Sequence, residues 1–351
     1  MVRVLALRER FEHISKESGY DALFHHLPAD IRVDSVFCNF KKMYPRGIGR
    51  IWQTAAKYAH GSSSYNAQSA EAELKLFSKL IAHRYDLVHY THAEPYLGFG
   101  ARRIKMPIVA TNHQPVSWWK QNTALFEKYE NVKQVICLTD FDRDYFNEQI
   151  TGKAVCIPHG VDTEYYHPLN QKKENEAFTI IFSGRYLRDV ATLAKAVIAL
   201  SSLQLKIRFD IVYTAKSTVK GTPMEQIAGL PDVTWHTNVP EEDLRRLYQN
   251  ADCCMIPLLD CTANNAILEA MACGLPLIST DLAPIRTYLD KNNAVMGRSN
   301  NAGDLVAAVE QLYNDKTQRA KMAVASRRRA VELFDWKIIA GQTARLFTSL
   351  S

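Results

Sequence analysis

Short β-branched runs recur along this chain, and a stretch of helical character follows almost every one. No other property of the sequence limits its possible folds as sharply. In the first half, strands are expected at 2–7, 31–37, 86–90, 107–111, 132–138 and 154–158, and helices at 19–27, 49–60, 67–83, 118–129 and 141–149. In the second half, strands are expected at 178–183, 206–213, 233–236, 253–258, 276–280 and 294–297, and helices at 189–200, 241–249 and 264–273 stand out between them. Strands that alternate with helices imply parallel sheets wound on both faces, an α/β fold of doubly wound type. At 351 residues the chain has room for two such domains. The stretch PLNQKKENEAF (168–178) is polar and lacks an apolar period, so it reads as the linker. The expected domains are therefore 1–168 and 178–335. From Ala302 onward the tail reads as helix without further strands.

Open parallel sheets bind ligands at the carboxyl ends of their strands, so the residues that follow the expected strands carry the functional signal. Ser183-Gly184-Arg185 follows the strand FTIIF, with Gly184 allowing a tight turn and Arg188 three residues beyond Arg185. Two guanidinium groups beside a helix start suit a phosphate or diphosphate, although a solvated basic loop has the same composition. After the strand CCMIPL, Asn264 and Asn265 open a helix, whose first N–H groups lack internal partners. Glu269, the one full charge between Asp260 and Asp281, lies about one turn further in. A carboxylate would repel phosphates, but its two acceptor oxygens match a vicinal diol such as a ribose. The competing account is a helix cap and a glutamate paired to a distant cation. IPHGVDTEYYHP (157–168) ends a strand and turns at Gly160 just before the linker.

These motifs, with VTWHTNVPEEDLRRLYQNADCCMIPL and NNAILEAMACGLPLIST, resemble the GT-B glycosyltransferases of the large retaining family four. DLVHYTHAEPY, PIVATNH and VICLTDFDRDYF resemble its N-terminal strands and turns more loosely. The resemblance implies two Rossmann-like domains facing across a cleft, a nucleotide-diphosphate sugar such as a UDP- or GDP-sugar held mainly by the second domain, and an acceptor held mainly by the first. It also implies that the last helix, 336–351, returns to the first domain. Carried over, Arg185 matches the diphosphate-binding arginine, and Arg188 takes the place of a lysine that follows it. Gly184, Asn264 and Asn265 fall in the donor turn and helix start, and Glu269 matches the second glutamate of an E-x7-E motif that binds the ribose. His113 matches a histidine near the transferred sugar. Gly19 and Tyr20 fall in a loop on the acceptor side. The first glutamate of E-x7-E falls at Cys261, which removes a carboxylate from the sugar-binding position. Either Asp260 supplies it, or the enzyme works without it, or the chain is a donor-binding scaffold; of these, substitution by Asp260 is expected. A GT-B epimerase or phosphorylase is the other alternative, with no signature for a pyridoxal lysine.

Charge and cysteine content narrow the remaining classes. The seven cysteines lack CxxC spacing, so neither a disulfide framework nor a zinc site is expected. Asp140-Phe141-Asp142 has the form of a metal-binding DxD, but it sits at a helix start, where aspartate is a common cap. No cofactor, no metal and no nucleic-acid partner is expected. No apolar run reaches the roughly 20 residues of a membrane span, and the start, MVRVLALRER, reads as a strand, so a cytoplasmic protein is expected. The net charge of +6 is uneven: residues 35–70 contain no Asp or Glu but hold Lys41, Lys42, Arg46, Arg50 and Lys57, with Phe40, Tyr44, Trp52 and Tyr58 among them. This segment is either a solvated loop or, through 39–60, a surface for the anionic inner leaflet.

Overall fold

The structure is a computed structural model, and it describes residues 1–9, 15–38, 65–98, 101–172 and 176–351. The helix expected at 49–60 and the basic, aromatic segment 39–60 lie outside the described residues. The chain divides into two compact units, Met1–His159 with Trp336–Ser351, and Gly160–Asp335.

The first unit is built on β1 (Val2–Glu9), β2 (Ile31–Cys38), β3 (Leu87–Tyr90), β4 (Ile108–Thr111), β5 (Gln134–Cys137) and β6 (Ala154–Cys156). All pair in parallel, in the order β2-β1-β3-β4-β5-β6. The helices between them are α1 (Ala67–Ala82), α2 (Ala93–Tyr96), α3 (Val116–Gln121) and α4 (Asp140–Gln149). β3 and β4 are buried at every position, as a strand covered on both faces must be. Trp119 of α3 stacks edge-on to Phe146 of α4 at 4.9 Å, and both are almost fully buried; each such ring contributes roughly 1.5–3 kcal/mol by leaving water. Two expected helices come out shorter and tighter. Residues 19–27 form a 3-10 turn, Tyr20–His25, and 118–129 splits into α3 and a 3-10 turn, Thr123–Tyr129. Asn122, outside the helical region with φ −128° and ψ 36°, is where the second one breaks.

The second unit holds β7 (Phe178–Ser183), β8 (Ile207–Val212), β9 (Val233–His236), β10 (Cys253–Ile256), β11 (Leu277–Thr280) and β12 (Ala294–Gly297), again all parallel. Their order is β12-β11-β10-β7-β8-β9. The helices are α5 (Val190–Ser201), α6 (Glu241–Asn250), α7 (Asn265–Ala272), α8 (Ala302–Asn314) and α9 (Lys316–Arg329). From β7 the chain builds outward in one direction through β8 and β9, then returns to β10 on the other side. The order reverses between β7 and β10, and at such a reversal the connections leave to opposite faces and open a crevice at the carboxyl edge. α7 is buried from Ala266 to Ala272, and apart from Glu269 those residues are apolar, as a helix covered on all sides requires.

The boundary between the units differs from the expected linker. Gly160 to Pro168 belongs to the second unit, because Val161 and Tyr166 are fully buried in its core. The polar stretch after Pro168 is an exposed approach to β7 rather than a boundary, and 173–175 lie outside the described residues. The two crossings of the chain are tied within the second unit: Val161 bridges Asp335 in parallel, the Val161 N–H donates to Phe334 O at 2.9 Å, and the Thr163 hydroxyl donates to Asp335 Oδ2 at 2.5 Å. The last helix, α10 (Trp336–Leu350), is part of the first unit. Its Trp336 donates to Glu17 O at 3.0 Å and its Phe347 meets the His89 ring at 5.3 Å.

Candidate active site

In the second unit the two loops at the reversal are sewn together. Gly184 takes φ +97°, open to glycine but costly for other residues, and a Cβ there would lie 2.6 Å from Arg188 Nη2. Leu187 also takes a positive φ, 57°. The turn is held by the loop after β10: Leu259 N–H donates to Leu187 O at 3.0 Å, Asp189 N–H donates to Pro257 O at 3.0 Å, and Arg188 pairs with Leu258. Asp189 then caps α5 by accepting from Thr192 N–H.

The two arginines do different things. The Arg188 guanidinium folds back over Gly184 and donates to Ser183 O (3.1 Å), Tyr186 O (3.0 Å) and Asn264 Oδ1 (3.0 Å). All three acceptors are neutral, so among the described residues no direct ion pair cancels its charge. Burial lowers its pKa, and Glu269 is the one carboxylate among the groups that oppose that shift. Arg185 is exposed, and no hydrogen bond or ion pair among the described residues engages its guanidinium. Asn264 caps α7 through the oxygen that receives Arg188, accepting from Ile267 N–H at 3.3 Å. The backbone N–H groups of Asn265 and Ala266 take no partner among the described residues. Glu269 is only 4% exposed, one turn into α7 beneath this start. Asp260 accepts from the Cys261 N–H at 2.8 Å, whereas the Cys261 thiol is buried in the apolar core at 3% exposure. Position 261 thus serves packing, and the carboxylate at the loop surface is that of Asp260.

In the first unit, the residues leaving β3, β4 and β6 build an imidazole cluster. His113 and His92 stack at 4.0 Å with 13° between planes, and Tyr20 meets His113 edge-on at 4.9 Å. His159 lies 5.7 Å from the Tyr20 ring and 5.1 Å from Trp336. His113 Nε2 is 2.9 Å from Thr91 O, a carbonyl that can only accept, so Nε2 carries the proton and Nδ1 is the acceptor. Tyr20 OH and His89 Nε2 share Thr111 Oγ1 at 3.0 and 2.9 Å. Burial lowers the His89 and His92 pKa values to about 3 and pushes His113 well below its ordinary value, so these three imidazoles are neutral at pH 7. Glu94 is 6% exposed, and burial raises its pKa to about 7. It accepts from the backbone N–H groups of His113 and Gln114.

The structure groups Gly184, Arg188 and Asn264 by direct contact, brings Glu269 within electrostatic reach of Arg188, and sets Tyr20 against His113. Gly19 precedes that tyrosine as the residue before the turn, in extended geometry at φ −69°. His92, His159 and Glu94 were not singled out from the sequence. The signal for His92 and Glu94 was the run DLVHYTHAEPY, and that for His159 the run IPHGVDTEYYHP, each read for its strand and turn and not for the polar residues at the strand's exit. The DFD motif is placed differently from expectation: Thr139, not an aspartate, caps α4, while Asp142 pairs with Thr139 and Asp140 with Arg143. Among the described residues, no three His, Cys, Asp or Glu side chains are arranged to hold a metal, and no helix is long and apolar enough to cross a membrane.

Comparison with known proteins gives concordant results. A family model described as Glycosyl transferases group 1 matches residues 177–315, and one described as Glycosyltransferase Family 4 matches 17–165. The MMP alpha-(1->4)-mannosyltransferase of Mycolicibacterium hassiacum is 25% identical over 295 residues, spanning 75% of this chain and 70% of that one. The phosphatidyl-myo-inositol mannosyltransferase of Mycolicibacterium smegmatis is 26% identical over 280 residues, with 75% and 70% covered. Among solved structures, sucrose-phosphate synthase from Thermosynechococcus elongatus aligns at TM-score 0.75 and 15% identity over 100% of this chain and 99% of that one. HepE of Anabaena, in complex with UDP and glucose, aligns at 0.74 and 16% over the full length of both.

Proposed function

Because the chain belongs to family four of the GT-B glycosyltransferases, we propose that its second unit holds the diphosphate of a nucleotide sugar where β7 and β10 diverge. The observation that supports this reading is that the loops at the strand-order reversal carry one guanidinium and two amide donors at the start of α7 that take no partner among the described residues, and a second guanidinium held on neutral acceptors. Charge that develops on a departing diphosphate is stabilised by donors already in place, and placement in advance avoids reorganisation during the reaction. Arg185 contacts the phosphates. Arg188 supplies a fixed positive field and holds the turn. Asn265 and Ala266 offer their N–H groups, as helix starts do for phosphates. Glu269 receives the ribose hydroxyls, and Asp260 takes the sugar-facing role of the carboxylate missing at Cys261.

The first unit supplies the acceptor side. His113 presents Nδ1 as an acceptor for a sugar hydroxyl, and Tyr20 and Gly19 line the same edge. Transfer proceeds on the front face: the departing phosphate oxygen takes the proton of the acceptor hydroxyl, which then bonds the anomeric carbon from the side the phosphate leaves, with retention and without a metal. A lipid-linked acceptor is compatible with the phosphatidyl-myo-inositol named for one relative, and a role for 39–60 at an anionic leaflet is tested by flotation with anionic against neutral vesicles. The deciding experiment for the reaction is turnover of UDP-glucose and GDP-mannose as probes, with product anomers assigned. Retention, loss of transfer in Arg185→Ala and full activity in EDTA support the reading. Inversion overturns the front-face route, and loss of activity in EDTA overturns metal independence.

A further inference from the structure

The histidine of the acceptor side is held from an unexpected direction. His113 follows β4 in the loop Asn112–Pro115, a connection with few backbone partners of its own. The Glu94 carboxylate of α2 reaches this loop and, through the single oxygen Oε1, accepts two consecutive N–H groups, those of His113 and of Gln114 at 2.7 Å. The His113 ring is fixed from the same segment, since its Nε2–H donates to Thr91 O and His92 stacks on its face. Thr91 is in turn anchored to β1, its N–H and its hydroxyl both donating to Leu7 O, at 3.1 and 3.0 Å. The imidazole is thus positioned by the exit of β3, through Thr91, His92 and Glu94, and not by its own strand.

We propose that Glu94 is a positioning residue for the transfer reaction: by gathering the His113 and Gln114 amides it sets the His113 ring in the Nε2–H form with Nδ1 presented to a sugar hydroxyl. The inference rests on the proposed role of His113. A carboxylate is a stronger acceptor than a neutral oxygen, and two consecutive amides on one oxygen fix the backbone direction at that point. Any loss of this contact releases the loop, and a misplacement near 1 Å in a positioning group costs about a hundredfold in rate.

The test is a cycle of Glu94→Ala, His113→Ala and the double variant, with Glu94→Gln as the conservative case, assayed by nucleoside diphosphate release from UDP-glucose and GDP-mannose. Glu94→Ala lowers kcat about a hundredfold with donor KM changed less than about threefold. Glu94→Gln, which keeps a carbonyl in place, recovers most of that loss. In the His113→Ala background, Glu94→Ala has no further effect, because residues that act through one another are non-additive. A full additional loss in that background overturns the positioning role alone. Unchanged turnover in His113→Ala removes the proposed role of His113 and this inference with it. A second readout needs no donor: nitrogen-detected NMR of the labelled full chain at pH 8. Wild type shows a slowly exchanging Nε2–H on His113, Glu94→Gln stays close to it, and Glu94→Ala shows faster exchange and mixed tautomers. An unchanged His113 signal in Glu94→Ala overturns the inference.

Discussion

Arg188 Nη2 lies 3.0 Å from Asn264 Oδ1, the oxygen that also caps α7. One side chain therefore couples the turn after β7 to the helix after β10, and it does so without neutralising the arginine. Asn264→Asp separates the two roles. The new carboxylate still caps the helix but pairs directly with Arg188. Thermal melting is expected to stay level or rise, while calorimetric Kd values for UDP and GDP weaken by about tenfold, near 1.4 kcal/mol. Equal affinity in the variant rules out a part for the uncompensated charge.

Gly184→Ala is expected to cost about 2 kcal/mol by urea unfolding, from a strained backbone and a displaced Arg188 guanidinium. The same variant loses UDP and GDP affinity at temperatures where it remains folded. A variant as stable as wild type contradicts the close approach of 2.6 Å between a Cβ at this position and Nη2.

Asp260 and Cys261 make opposite predictions. Asp260→Asn removes the charge at the loop surface, so kcat for sugar transfer falls by at least about tenfold, with UDP and GDP binding retained. Cys261→Glu places a charge where the side chain is 3% exposed, and melting temperature falls rather than activity rising. Rescue of an Asp260→Asn enzyme by Cys261→Glu is the outcome that contradicts this assignment.

Acid sensitivity follows from the imidazole cluster. His89 and His92 have folded-state pKa values lowered to about 3 by burial, against about 6.5 when unfolded. In that window the unfolded chain binds more protons, so stability is full above the unfolded value and is lost as pH falls. Glu9 and Glu94, raised to about 7 by burial, act in the opposite sense between about 4.5 and 7. The two effects offset one another near pH 6. Below about 4.5 the glutamates no longer offset them, and His89 and His92 each steepen the loss by up to about 1.4 kcal/mol per pH unit. Denaturant unfolding from pH 3.5 to 6 is expected to show this steepening in wild type and a shallower slope in His89→Asn.

The legible part of the molecule was its period. Runs such as FTIIFS and CCMI are buried at every position because both sheet faces are covered, and their largely apolar composition marks them in the bare sequence. The turn after β7 and the start of α7 were legible for a related reason: Gly184, Arg185 and Asn264 each sit at a strand exit or helix start, where few residue types fit. The strand order was not legible, since pairing between distant segments leaves no local trace, and with it the reversal between β7 and β10 stayed hidden. The division of labour between Arg185 and Arg188 was also hidden, because it depends on which guanidinium folds back over the glycine. The boundary at Gly160 was missed because polar composition after Pro168 outweighed two apolar residues, Val161 and Tyr166, that join the second core. His92, His159 and Glu94 lie apart from His113 in the chain, and only the folded sheet brings them to it.

The most direct test of the donor site is a crystal structure of the full chain with UDP or GDP bound. The diphosphate is expected within hydrogen-bonding distance of the Arg185 guanidinium and the N–H groups of Asn265 and Ala266, with the ribose on Glu269. A nucleotide seated among the histidines of the first unit, or bound without contact to Arg185 and the start of α7, contradicts the proposed donor site.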